Sequence, residues 1–111
     1  MLVRDDGLVI GQPAHAWVSG QLARAWGNAA FPAPAPREPV CLAAEQHDIP
    51  WLEWERDPAI DPQTGYPHTF MSLDMPTKLA MWAEGPDLLL AQSRYAALHG
   101  SLHGSHLYRA L

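Results

Sequence analysis

A chain of 111 residues allows one domain, and its 48% hydrophobic content with five tryptophans is enough for a core. Seven Lys and Arg against a net charge of -5 exclude a binder of nucleic-acid backbone, an affinity that comes from clustered cations. Charged residues at 17% are few for a free-standing globule and point to a partner surface or a homodimer.

Residues 2 to 10, LVRDDGLVI, read as two short strands about an Asp6-Gly7 turn. Such a hairpin is barely stable alone and is expected to pack on the helices that follow. Pro13 suits a first helical turn, and a helix is predicted from Gln12 to the stop at Gly27. Its apolar face would be Trp17, Val18, Leu22, Ala25 and Trp26, with Gly20 a local weakness. Residues 28 to 39 are a proline-rich spacer. A central helix begins near Pro39 and rises to His47-Asp48, with Pro50 as its end; WLEWERD adds an amphipathic turn. Residues 58 to 74 read as loop, long enough for such segments to be often functional. A further helix is expected from Pro76, capped by Asp74, with Leu79, Met81 and Trp82 on its apolar side. Gly85-Pro86 breaks or kinks it. The last helix runs from about Ser93 to the C-terminus. The fold class is therefore mainly α, a small N-terminal β-hairpin followed by about four helices. Cys41 is alone, no apolar run has the length of a membrane span, and the N-terminus lacks a signal-peptide core. A soluble cytoplasmic protein with no membrane partner is expected.

Of six histidines, several fall at telling positions. His15 lies in the first turn of the first helix. His47 precedes Asp48 where the second helix ends, and a carboxylate is disfavoured there by the helix dipole unless a cation compensates. In the last helix His99, His103 and His106 follow i, i+4, i+7 spacing within a stripe about 60° wide. Two histidines at i, i+4 can share a metal ion. Gly100 and Gly104, each costing about 1 kcal/mol against alanine, imply that another backbone packs close to this helix. His68 and His106 read as structural or exposed, and Cys41 as core. Glu53 and Glu55 read as a solvated face. Trp51 and Trp54, just past the His-Asp pair, could wall a pocket.

The segments QPAHA at 12–16, HDIPW at 47–51, DPQTG at 61–65 and SLHGSHLY at 101–108 resemble the uncharacterised bacterial family DUF3891. They span nearly the whole chain. Members of that family look longer, so residues 1–111 are expected to be either a single complete domain or its N-terminal part. More distantly, the chain is similar to HD-domain metal-dependent phosphohydrolases. These are helical and bind divalent metals through a histidine on one helix, a His-Asp pair ending a second and an aspartate on a later one. His15, His47 and Asp48 correspond by order and helix placement. No aspartate follows Asp87, so His99 and His103 stand where that family has its late carboxylate, unless further chain supplies one.

The reading is a helical domain binding a divalent transition metal through His15, His47, Asp48 and His103, with His99 a further ligand. Imidazole and carboxylate together suit Mn, Fe, Co, Ni or Zn better than Mg or Ca. As an enzyme it would hydrolyse a small phosphorylated substrate. The alternative is a non-catalytic interaction or structural domain whose histidines form a hydrogen-bonded core.

Overall fold

The chain opens on two residues of β1 (Leu2–Val3) paired antiparallel with β2 (Val9–Ile10), Leu2 opposite Ile10 and Val3 opposite Val9. Among the described residues five helices follow: α1 (Gln12–Ala25), α2 (Arg37–Gln46), α3 (Trp51–Arg56), α4 (Met75–Leu90) and α5 (Arg94–Leu107). The protein is thus mainly helical with an N-terminal hairpin. The computed structural model describes residues 1–109. The last helix ends at Leu107, and the stretch over which it was expected to reach the C-terminus lies partly outside those residues. Among the described residues no helix is long and apolar enough to cross a membrane.

Local chemistry accounts for most boundaries. Gly7 closes the hairpin by donating to the Arg4 carbonyl at 2.9 Å, and its φ of 84° is open to glycine at little cost. The Asp74 carboxylate accepts from Thr77 N at 2.9 Å and the Ser93 hydroxyl from Ala96 N at 3.2 Å, so α4 and α5 begin on side-chain caps. α1 has no such cap; Gln12 N instead donates to Glu55 on α3, at 2.8 Å. Glu55 also pairs with the Met1 ammonium at 3.0 Å, so it is a structural anchor rather than part of a solvated face. Its negative charge at the start of α1 is favourable to the helix dipole.

α1 lies against α2, and α5 against both α2 and α4. The stripe that α1 buries is Gln12, Ala16 and Gly20. The larger apolar side chains expected to face the core, Trp17, Val18, Leu22 and Trp26, are exposed, Trp17 by 55%. The reason is proximity: a Cβ built on Gly20 would lie 2.5 Å from Glu45 Cβ and 2.9 Å from Glu45 Cα. Only small residues fit between helices this close. Arg24 seals the same seam with ion pairs to Glu38 at 2.6 Å and Glu45 at 3.3 Å.

α4 runs through Pro86 without ending and buries Lys78, Trp82, Gly85 and Leu89, whereas Leu79 is exposed. Gly100 and Gly104 on α5 are buried, but side chains rather than backbone meet them: Leu89 at Gly100 and the Trp82 ring at Gly104. Residues 58–74 form a self-bonded loop. Asp61 N donates to the Tyr66 carbonyl and Gly65 N to that of Asp61, while Thr69 and Ser72 bond each other. Phe70 N reaches back to the Met1 carbonyl, so the hairpin packs on this loop as well as on α3.

Candidate metal centre

α2 stops at Gln46, and the tight turn 47–50 leads into α3, with Asp48 accepting from Trp51 N at 3.0 Å. That turn aims two side chains back between α1 and α5. His47 Nδ1 lies 2.7 Å from the Ala44 carbonyl, to which it donates. Its Nε2 then faces Asp48 Oδ2 at 3.3 Å, and His15 Nε2 on α1 faces the same oxygen at 3.8 Å. Asp48 is buried, 5% exposed, with a long donor contact of 3.5 Å from Gln12 Nε2.

These contacts carry a chemical requirement. In a neutral His47 with Nδ1–H committed to Ala44, Nε2 is a lone pair pointing at a carboxylate lone pair. Two acceptors at 3.3 Å repel unless a cation lies between them. A proton satisfies the pair, and the Asp48 bond accordingly raises the His47 pKa above 6.5, opposed by burial and aided by the Ala44 carbonyl. A metal ion satisfies it equally. His15, His47 and Asp48 each offer one donor atom, all within 4.8 Å of one another. Metal–ligand distances of about 2.0–2.2 Å set donors up to about 4.4 Å apart across an ion, so a small side-chain rotation closes the set. The Nδ1–H bond to a backbone carbonyl is the outer contact typical of a ligating histidine. The donor set fits a transition metal ion.

His103, half-buried on α5, stands edge-on to His47 with ring centroids 5.1 Å apart, and 5.2 Å from the Trp82 ring. Burial, then the neighbouring His47, lowers its pKa and favours neutral imidazole. His99 is placed elsewhere. It is exposed, leans on Tyr95 at 4.6 Å, and shares only a shallow recess with His47 and His103. His106 is exposed and bonded to the Leu102 carbonyl, and His68 sits in the loop beside Ser72. Trp51, 2% exposed, walls the cavity beside the triad; Trp54 stacks edge-on behind it and does not line that cavity.

The cavity measures about 480 Å³ and is also lined by Gln12, Lys78, Trp82 and Tyr108, none of which the spacing of histidines had suggested. A signal for Lys78 existed: it lies four residues before Trp82 and eleven before Leu89, on the buried face of α4. Phe70 and Met71 from the long loop also line it.

Across residues 1–111 the sequence matches the family described as "Protein of unknown function (DUF3891)". The chain belongs to the DUF3891 family. No curated protein and no solved structure matches it significantly. In this DUF3891 chain, the QPAHA segment supplies Gln12 and His15 to the cavity, the HDIPW segment His47, Asp48 and Trp51, and the SLHGSHLY segment His103 and Tyr108. The DPQTG segment instead folds the loop that carries Phe70 and Met71.

Proposed function

We propose that this protein binds a divalent transition metal ion through His15, His47 and Asp48 and uses it to hydrolyse a phosphoester. The observation that supports this reading is the convergence of three donors, one from α1 and two from the α2–α3 turn, on one cavity, with a carboxylate–imidazole contact that needs a cation. The order of ligands along the chain is similar to that of HD-domain phosphohydrolases. A bound ion would lower the pKa of water and polarise a phosphoryl oxygen. His47 and Asp48 would hold it from the turn, and His15 would complete the set from α1. His103, kept neutral by its surroundings, can either accept the proton of the attacking water at its free ring nitrogen or stand as a fourth ligand in place of a late carboxylate, but not both at once.

The test is metal content of the untagged protein by mass spectrometry after mild dialysis. Stoichiometric Mn, Fe, Co, Ni or Zn is expected in wild type and its loss in His47→Ala. No metal in wild type, or unchanged content in the variant, refutes the site. Phosphoester hydrolysis must vanish in both His47→Ala and Asp48→Asn. The exposed apolar face of α1, with Trp17, Val18, Leu22 and Trp26, favours a second reading as a non-catalytic interaction domain. A melting temperature indifferent to chelator decides for that reading, since a bound ligand adds directly to native stability.

A further inference from the structure

Lys78 and Trp82 lie four residues apart on α4, so they share a helix face, and both line the cavity that holds His15, His47 and Asp48. Lys78 is only 7% exposed. Lysine is almost never buried to that extent without a partner. Yet no carboxylate among the described residues lies within ion-pair distance of it; Asp48 is engaged with His47 and His15. Trp82 is equally buried, and its Nε1–H makes no well-formed hydrogen bond, although the Tyr108 hydroxyl stands beside it. Gln12 repeats the pattern from α1: its Nε2 faces Asp48, while its buried Oε1 has no donor.

Three residues more than nine-tenths buried thus line one cavity, two of them with a buried polar atom that lacks a well-formed partner and the third, Lys78, with no ion pair. Buried polar groups in a native protein are ordinarily satisfied, so unmatched ones call for a ligand or ordered water. Asp48 faces its own two imidazoles, so the polar groups left over are mainly donors, one of them a full cation, which selects an anion. The remaining lining includes the apolar Leu2, Phe70, Met71 and Leu107. At about 480 Å³ the cavity is of the size that takes small organic molecules.

We propose that this cavity is the binding site for a small phosphate monoester with an aromatic or apolar organic group. The Lys78 ammonium and Trp82 indole N–H bind its phosphate, and the organic group lies against Phe70 and Met71. A tetrahedral phosphate suits the arrangement better than a carboxylate, because it can give one oxygen to each donor and turn a third toward the His-Asp cluster. The role as substrate rests on the metal-dependent hydrolysis proposed above; the anion site itself does not.

Phenyl phosphate is the probe, titrated calorimetrically into wild type, Lys78→Met and Lys78→Arg. Each protein is used both chelator-stripped and loaded with Mn²⁺, and metal content is measured separately. Wild type is expected to bind phenyl phosphate at least tenfold more tightly than inorganic phosphate. Lys78→Met should lose at least tenfold in affinity with its metal content unchanged, and Lys78→Arg should keep most of the binding. A wild type that takes up no metal but binds phenyl phosphate through Lys78 sinks the metal site and upholds the anion site. The proposal is overturned if wild type binds the probe in neither form, if Lys78→Met binds like wild type, or if inorganic phosphate binds equally well. Should Lys78→Met fail to fold, wild type alone decides by NMR. The indole N–H resonance missing from Trp82→Phe must move during the titration, and a stationary resonance overturns the proposal.

Discussion

Replacing Gly20 with alanine tests whether helix packing sets the geometry of the candidate metal centre. In an exposed helix the change adds about 1 kcal/mol of stability through propensity. Here the new methyl would stand 2.5 Å from Glu45 Cβ and 2.9 Å from Glu45 Cα. Carbon atoms settle at about 3.5–4.0 Å, so the two helices must part by roughly 1 Å. The Glu45 side chain can swing aside, but its Cα cannot. Overpacking of this kind costs about 1–3 kcal/mol, which leaves a net loss of about 0–2 kcal/mol after the propensity gain. At about 4 °C per kcal/mol for a domain of this size, the melting temperature should fall by up to about 8 °C. Urea denaturation of wild type, Gly20→Ala and Gly100→Ala gives the comparison. At Gly100 the new methyl meets only the Leu89 Cδ1, at 2.8 Å, a side-chain end that can rotate away, so that variant should be near neutral. Metal affinity should fall in Gly20→Ala through displacement of His15, whose 3.8 Å contact with Asp48 crosses the widened seam. A Gly20→Ala protein more stable than wild type by the full propensity gain refutes the close packing of α1 on α2.

Other perturbations have equally definite outcomes. Gly104→Leu should destabilise by about 1–3 kcal/mol in urea melts, because its Cβ already meets the Trp82 ring at 3.0 Å. The Thr77 amide and hydroxyl hold the Asp74 pKa below its ordinary 3.8. Its capping contribution is therefore complete above that value and lost as pH falls through the lower folded one. The stability gap between wild type and Asp74→Ala should accordingly be constant from about pH 5 to 7 and close in stronger acid. Stripped of metal, the His47–Asp48 pair carries a proton and raises the His47 pKa above 6.5, so its stabilisation is full below 6.5 and lost as pH rises through the folded value. Metal-loaded protein should show the reverse trend in thermal melts, since binding must displace that proton. Parallel pH profiles in the two forms count against the metal.

The sequence made some parts of this fold legible and hid others for physical reasons. Asp74 and Ser93 stand just before helical patterns, and each turned out to bond the backbone three residues on. Asp6-Gly7 marked the hairpin because Gly7 alone could take the positive φ. The facing of α1 was hidden because periodicity weights large apolar side chains, whereas close helices exclude them in favour of Ala16 and Gly20. Glu55 was hidden because its partner lies 43 residues away; the signal available was indirect, namely that α1 begins at Gly11-Gln12-Pro13 with no side chain able to cap it. Within the candidate site, His15, His47 and Asp48 were singled out by position in their helices, and they converge. The i, i+4 spacing of His99 and His103 could not say which one faced inward, and only His103 stands beside His47. Lys78 drew no notice because a charge is ordinarily taken as solvated, and only the packing of α4 reveals it as buried.

The two halves of the triad differ in how firmly they are held. His47 and Asp48 are neighbours on a turn that α2 and α3 pin at both ends, with Ala44 orienting the imidazole and Trp51 N bonded to the Asp48 carbonyl. Their mutual distance is therefore a property of the local chain. His15 comes from α1, and its side chain is 45% exposed against 6% for Asp48. What fixes its distance is the seam between α1 and α2: the Gly20–Glu45 contact, the Arg24 ion pairs and the Glu55 anchor at Gln12 N. A cation drawn to the carboxylate thus meets a preformed pair and an outer arm whose reach is set by tertiary packing. Binding would tie that arm to the turn and add its free energy to the α1–α2 interface. If the triad holds a metal, stability and metal affinity would be one coupled quantity in this domain, and a substitution along the seam such as Gly20→Ala would move both together.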